Sequence, residues 1–139
     1  MARRVLTGRG QFFGVASFQI LAMFRRGLFY NYLSIYLRHF LGLSVTETTL
    51  FATLPMALNI FFQAFVWGRV SDHFQLRRTL IILGEILAGA GTIVIWYAHT
   101  FAATPRLAGY IIICGLSLVE AFWSMSNIGW SALIADIYP

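Results

Sequence analysis

The residues able to do chemistry are few, and they interrupt stretches of sequence that are otherwise apolar. Arg25 and Arg26 stand in the middle of the run 11–37, and Glu120 stands in the middle of the run 107–135. An insertion scale charges about 2.5–3.5 kcal/mol for an arginine at the centre of a membrane helix. Roughly 20 apolar neighbours at about 0.3–0.6 kcal/mol each offset that cost. Such a span survives, but its guanidinium groups must face protein or water. Adjacent helical residues diverge by about 100°, so the two arginines do different jobs, and Arg26 shares one face with Gln19, Tyr30 and Ser34. In the other run Ser117, Glu120, Ser124, Asn127 and Ser131 recur at intervals of three and four residues, which places all five on one helical face. A polar wall backed by Ile, Leu, Val, Phe and Trp suits a helix lining a polar cavity. A cross-link from Glu120 to Arg25 or Arg26 would use the same side chains, and the serines with Asn127 could serve as interhelical hydrogen bonds worth about 0.6 kcal/mol each.

The remaining polar groups read as structural. Glu85, with Thr92 one heptad later, is expected to support packing, either neutral or paired with an arginine. Gly84, Ala88, Gly89, Ala90 and Gly91 allow another helix to approach closely. Asn59 and Gln63, four apart, read as packing groups, as do Trp123 and Trp130, while His39, His73 and His99 near the segment ends read as solvated. No nucleophile, base and orienting group occur together and no metal-ligand spacing appears, so neither an enzyme, a metal site nor a cofactor is expected. Cys114 is the single cysteine, which excludes a disulfide framework.

These groups need elements to hold them, and composition says which. Of 139 residues 59% are hydrophobic and 11% charged, with a mean hydropathy of +0.75, whereas a soluble domain carries about 25% charged residues. A water-soluble globule is excluded. The basic character comes from ten arginines that fall mostly at segment ends, which does not make the basic face that nucleic acid requires. Four apolar segments, 11–37, 49–67, 79–97 and 107–135, are each long enough to approach or exceed the ~20 residues that cross a bilayer. Lipid offers no partners to the backbone, so each must be helical, with Pro55 marking a bend in the second. The chain is thus expected to be an all-α, multi-pass membrane protein, with residues 1–10 a cytoplasmic N-terminus and 11–139 a transmembrane bundle. That orientation puts Arg3, Arg4, Arg9, Arg69, Arg77 and Arg78 inside and Arg38 and Arg106 outside, satisfying the positive-inside rule, and returns the C-terminus to the cytoplasm.

Between the second and third segments runs a charged turn, Gly68-Arg69-Val70-Ser71-Asp72-His73-Phe74-Gln75-Leu76-Arg77-Arg78. It resembles the signature loop of the major facilitator superfamily, G-x-x-x-D-[RK]-x-G-[RK]-[RK]. Gly68, Asp72 and Arg77 match, with Arg78 following; His73, Gln75 and Leu76 depart from the pattern. The stretch Tyr36-Leu37-Arg38 with Leu41-Gly42-Leu43-Ser44, and Ala132-Leu133-Ile134-Ala135-Asp136 with Pro139, look like the same family, so the resemblance covers the whole chain. The family's arginine–glycine signature in the fourth span is missing, with Leu116 and Glu120 in the matching places.

The resemblance implies a carrier of two six-helix halves built from three-helix repeats, with a solute site at midplane. It also implies that these four helices form part of the N-terminal six-helix bundle, an N-terminal fragment that needs the missing C-terminal helices and is inactive in transport alone. Helices one and four of the family line the cavity, which makes Arg25, Arg26, Tyr30, Asn31, Glu120, Ser124 and Asn127 the candidate cavity residues. Gly68, Asp72, Arg77, Arg78 and Asp136 become the gating set, with Gly68 admitting a close helix, Asp72 accepting N–H bonds at a helix start and Arg77 or Arg78 pairing with Asp136. The implied activity is secondary transport of a small solute by alternating access in the cell membrane, with proton coupling an open option. A complete four-span multidrug exporter acting as a dimer is the alternative, along with a non-transporting membrane subunit; the six-to-two arginine bias and the lack of a glutamate early in the first span disfavour the exporter.

Overall fold

A computed structural model describes residues 8–74 and 76–137. The segment before Gly8, with Arg3 and Arg4 of the expected cytoplasmic N-terminus, lies outside the described residues, as do Gln75 and Pro139 of the motif matches. Among the described residues there are helices and short connections, with no strand. Helix α1 (Gly8–Ile35) runs into a π-helical turn at Tyr36–Phe40; α2 (Val45–Phe61) passes through a π-helical segment, Phe62–Trp67, into α3 (Gly68–Phe74); α4 (Arg77–His99) and α5 (Pro105–Ile137) follow. Four continuous helices, Phe12–Phe40, Val45–Phe74, Arg77–His99 and Pro105–Asp136, are long and apolar enough to cross a membrane. At ~1.5 Å per residue the shortest spans about 35 Å and the others project beyond ~30 Å of hydrocarbon. The described chain falls into two compact units, α1 up to Tyr36 and everything from Leu37 onward.

Local signals explain where the helices begin. Ser44 and Glu47 form a capping box at α2: the Glu47 N–H donates to Ser44 Oγ at 3.2 Å, and the Ser44 N–H donates to Glu47 Oε2 at 2.8 Å. The turn before it depends on Gly42, whose φ of 67° is left-handed and carries a steric penalty for any residue with a Cβ. That turn is closed by the Leu43 N–H donating to the Leu37 carbonyl at 3.1 Å, and by Arg38 Nη1 donating to the Leu43 carbonyl at 3.0 Å. Helix α5 opens with Pro105, which needs no N–H partner in the first turn, and Thr104 Oγ1 accepts from the Leu107 N–H at 3.2 Å. The chain stays helical through Pro55, which is buried inside α2.

Within the second unit α5 is the centre, with two-thirds of its apolar window buried against under a fifth for α2 or α4. Its two working faces are separate. Gly115, Val119, Phe122, Ser126 and Gly129, spaced three and four apart, meet α4, while the stripe Ser117, Glu120, Ser124, Asn127 and Ser131 points about 160° away. Small residues set the α4–α5 distance: a Cβ at Gly84 would stand 2.7 Å from both the Phe122 carbonyl oxygen and the Ser126 backbone nitrogen. Gly84 and Ala88 are buried in that seam, whereas Gly89 and Ala90 are exposed, so the expected small-residue patch divides between two faces. The outer face of α4 exposes Ile82, Leu83, Ile86, Leu87, Ile93, Val94, Trp96 and Tyr97, an apolar surface suited to lipid and larger than water tolerates. His99, expected to be solvated, is instead 5% exposed with its ring 4.6 Å from that of Trp96; the aromatic body packs well in the last turn of α4.

Candidate functional site

The residues of α2 that face α5 are fixed by helical period and by one irregularity. Asn59 and Gln63 lie four apart and share a face, and Gln63 falls in the π-helical segment, where the Gly68 N–H donates to the Gln63 carbonyl five residues back. Asn59 Nδ2 donates to Glu120 Oε1 at 2.7 Å, and Gln63 Nε2 donates to Asn59 Oδ1 at 2.6 Å. Four residues on, Trp67 Nε1 donates to the Ala121 carbonyl at 2.7 Å. Asn59 stands at the midpoint of the Val45–Phe74 helix and Glu120 at the midpoint of α5. Glu120 is 4% exposed. A carboxyl at that depth needs hydrogen-bond partners to be tolerated, and the amides of Asn59 and Gln63 provide a directed chain of donors toward it.

The other members of the α5 stripe differ among themselves. Ser117 and Ser124 are buried, and their hydroxyls donate back to the Ile113 and Ala121 carbonyls at 2.5 and 2.6 Å. Asn127 is half-buried and Ser131 exposed. On α1, in the other unit, Arg25, Arg26 and Tyr30 are half-buried along with Gln19 and Ser34, while Asn31 is exposed, about 140° around the helix from Arg26. A second carboxyl, Glu85, accepts from Ser126 Oγ at 2.9 Å across the α4–α5 seam.

Of the residues expected to gate, Arg77 and Asp136 meet. Arg77 Nη1 pairs with Asp136 Oδ2 and donates to the Ala132 carbonyl at 3.2 Å, joining the start of α4 to the end of α5. Arg78 is exposed. Two further members of that set, Gly68 and Asp72, lie in α3. The atom nearest a Cβ at Gly68 is the Gln63 carbonyl oxygen of the same helix, at 2.9 Å, and among the described residues no other helix comes within 4 Å; the π-helical turn brings its own backbone close to this glycine. Asp72 lies in the last turn of α3, exposed, at a helix end and not at a helix start.

Sequence reasoning missed three groups. Asn59 and Gln63 were assigned to packing because nothing in their spacing names a partner 61 residues away. Ser126 lies off the polar stripe, so only the α4 register brings it to Glu85. The third group ties the first turns of α2 and α5: Glu47 Oε1 accepts from Arg106 Nε and Nη2 at 3.0 and 2.9 Å and from the Tyr110 hydroxyl at 2.8 Å. Here a signal existed, since Ser44-x-x-Glu47 before an apolar run is a capping-box pattern. Beside Glu47 an open groove of about 470 Å³ is lined by Thr46, Thr49, Leu50, Thr53 and Tyr110. The Thr49 and Thr53 hydroxyls donate to their own helix, and none of the expected cavity residues lines this groove. Among the described residues no cluster of His, Cys, Asp or Glu could hold a metal ion.

Comparison with known families matches residues 15–139 to the Major Facilitator Superfamily. Comparisons with curated proteins and with solved structures return no significant match. The match covers nearly the whole chain, with most of the first long apolar helix and all of the other three. The chain therefore belongs to the Major Facilitator Superfamily, a family of transporters and not of enzymes, and is an all-α, multi-pass membrane protein.

Proposed function

We propose that these four helices form part of the N-terminal bundle of a carrier that moves a small polar solute by alternating access, together with further helices of the same carrier. The observation that carries the reading is the buried Glu120 at mid-depth, reached by the Gln63–Asn59 donor chain. An ionisable group in the middle of a membrane helix is costly and marks a solute or ion path by default. Arg25, Arg26, Tyr30, Asn31, Ser124 and Asn127 complete the proposed cavity lining, and Glu120 is the proposed proton or solute-charge site. Cationic side chains together with one carboxyl favour an anionic or hydroxyl-rich solute, or a cation balanced by a proton on Glu120.

The Arg77–Asp136 pair, with Asp72 and Arg78, is the proposed latch that makes and breaks as the cavity changes side. With the termini at the cytoplasmic face of the cell membrane, as the arginine distribution supports, that pair lies inside and the Glu47–Arg106 contact outside. The test is solute uptake by the complete carrier in proteoliposomes, with and without a proton gradient. Saturable uptake that Glu120→Gln alters in its pH profile supports the reading. Uptake with an unchanged pH profile removes the proton role, and the absence of uptake for any polar solute removes the transport reading itself.

A further inference from the structure

Asn59 holds Glu120 by one hydrogen, and what decides which end of the Asn59 amide faces the carboxyl is a third residue. An amide has an acceptor end and a donor end. Turned the other way, Asn59 would set its carbonyl oxygen against Glu120 Oε1, two acceptors at hydrogen-bond distance. Gln63 prevents this. Its Nε2 donates to Asn59 Oδ1 at 2.6 Å, which commits that oxygen away from Glu120 and leaves Nδ2 to reach Oε1 at 2.7 Å. The chain runs one way, from Gln63 through Asn59 to Glu120. Gln63 and Asn59 are each half-buried and Glu120 is buried, so water competes weakly with these bonds and a misdirected amide is expensive.

We propose that Asn59 and Gln63 are positioning residues of the transport site: Asn59 fixes the orientation of the Glu120 carboxyl, and Gln63 fixes the polarity of Asn59 without touching Glu120. The proposal rests on the reading of Glu120 as a transport group. A solute or proton arriving at Glu120 then meets a carboxyl already turned, which lowers the ordering cost at binding. The π-helical segment has a part in this. Gln63 is its second residue and Asn59 stands three residues before the segment, in α2, so the donor chain starts inside the irregularity, a kind of turn often found at functional sites.

The experiment reads the carboxyl directly and needs no solute. The chain is reconstituted in lipid nanodiscs with carbon-13-labelled glutamate, and the infrared band of Glu120 is isolated by subtracting the Glu120→Gln spectrum. Asn59→Leu should shift that band. Gln63→Met, which keeps side-chain length and removes the amide, should shift it as well, although residue 63 makes no hydrogen bond to Glu120. The deciding comparison is the double variant: in the Asn59→Leu background Gln63→Met should add no further shift, because the link between them is gone. A Glu120 band unmoved by Gln63→Met, or moved equally in both backgrounds, overturns the proposal. Circular dichroism checks helicity, and if Asn59→Leu fails to fold, the Gln63→Met shift alone decides, because its absence is contradictory by itself. Uptake assays test the transport reading separately, so loss of either result is attributable.

Discussion

Glu47 and Arg106 are joined by two hydrogen bonds to a single carboxylate oxygen, Oε1, at 3.0 and 2.9 Å from Nε and Nη2. The two residues do not contribute equally. The Arg106 side chain is 76% exposed and that of Glu47 is 12% exposed. Glu47 also caps α2 through Ser44 and accepts from the Tyr110 hydroxyl, so it holds three groups while Arg106 holds one. Glu47→Ala should lower the thermal midpoint of the chain in detergent more than Arg106→Ala does. The Arg106→Ala effect should shrink at high salt, because exposed pairs are screened. Equal losses from the two variants would contradict this ranking.

The α4–α5 seam predicts a contrast between two glycines on one helix. At Gly84 an added Cβ meets backbone atoms of α5 at 2.7 Å, whereas at Gly89 nothing lies within 4 Å. Backbone cannot swing aside as a side-chain tip can. Gly84→Ala should cost about 1–3 kcal/mol through overpacking, and Gly89→Ala should be neutral or slightly stabilising for a helix. Chemical unfolding of the two variants side by side measures the difference.

Gly42 makes a prediction of a different kind, since its surroundings are open but its φ of 67° is not accessible to most residues without strain. Gly42→Ala should destabilise by about 1–2 kcal/mol, and Gly42→Asn should recover part of the loss because asparagine tolerates the left-handed region. Two equal losses would mean that the turn has changed conformation.

The pairing of Arg77 with Asp136 separates rate from affinity. In the complete carrier Asp136→Asn should change the turnover of uptake several-fold while the half-saturating solute concentration stays within about twofold, because the pair is remote from the mid-depth polar groups. Asp72→Asn should slow turnover with affinity largely intact as well. A change confined to solute affinity in either variant would refute the latch.

What could be read from the residues alone follows from the kind of signal each leaves. The long helices are written in unbroken apolar runs, and the α5 stripe in a three-and-four spacing that needs no partner to be seen. The family motif points to Arg77 or Arg78 as the partner of Asp136, and Arg77 is the one that meets it. The π-helical segment at Phe62–Trp67 was not, because its residues have no period that distinguishes a wider turn from an ordinary one. The same irregularity brings the Gln63 carbonyl to Gly68, a contact that no spacing announces. The partners of Asn59, Gln63 and Ser126 depend on the register of α2 and α4 along α5, a tertiary quantity that small residues such as Gly84 set and that no local spacing records. His99 sits near a helix end, which suggests exposure, but packing against Trp96 covers it.

In the proposed carrier the polar face of α5 meets water while the apolar face of α4 meets lipid. Single cysteines test it most directly, placed at Asn127 and at Ile93 in a Cys114→Ser background and treated with a charged, membrane-impermeant maleimide in intact membranes. The cysteine at 127 should be labelled from the aqueous phase and the one at 93 should not. Labelling at 93 with none at 127 would contradict it.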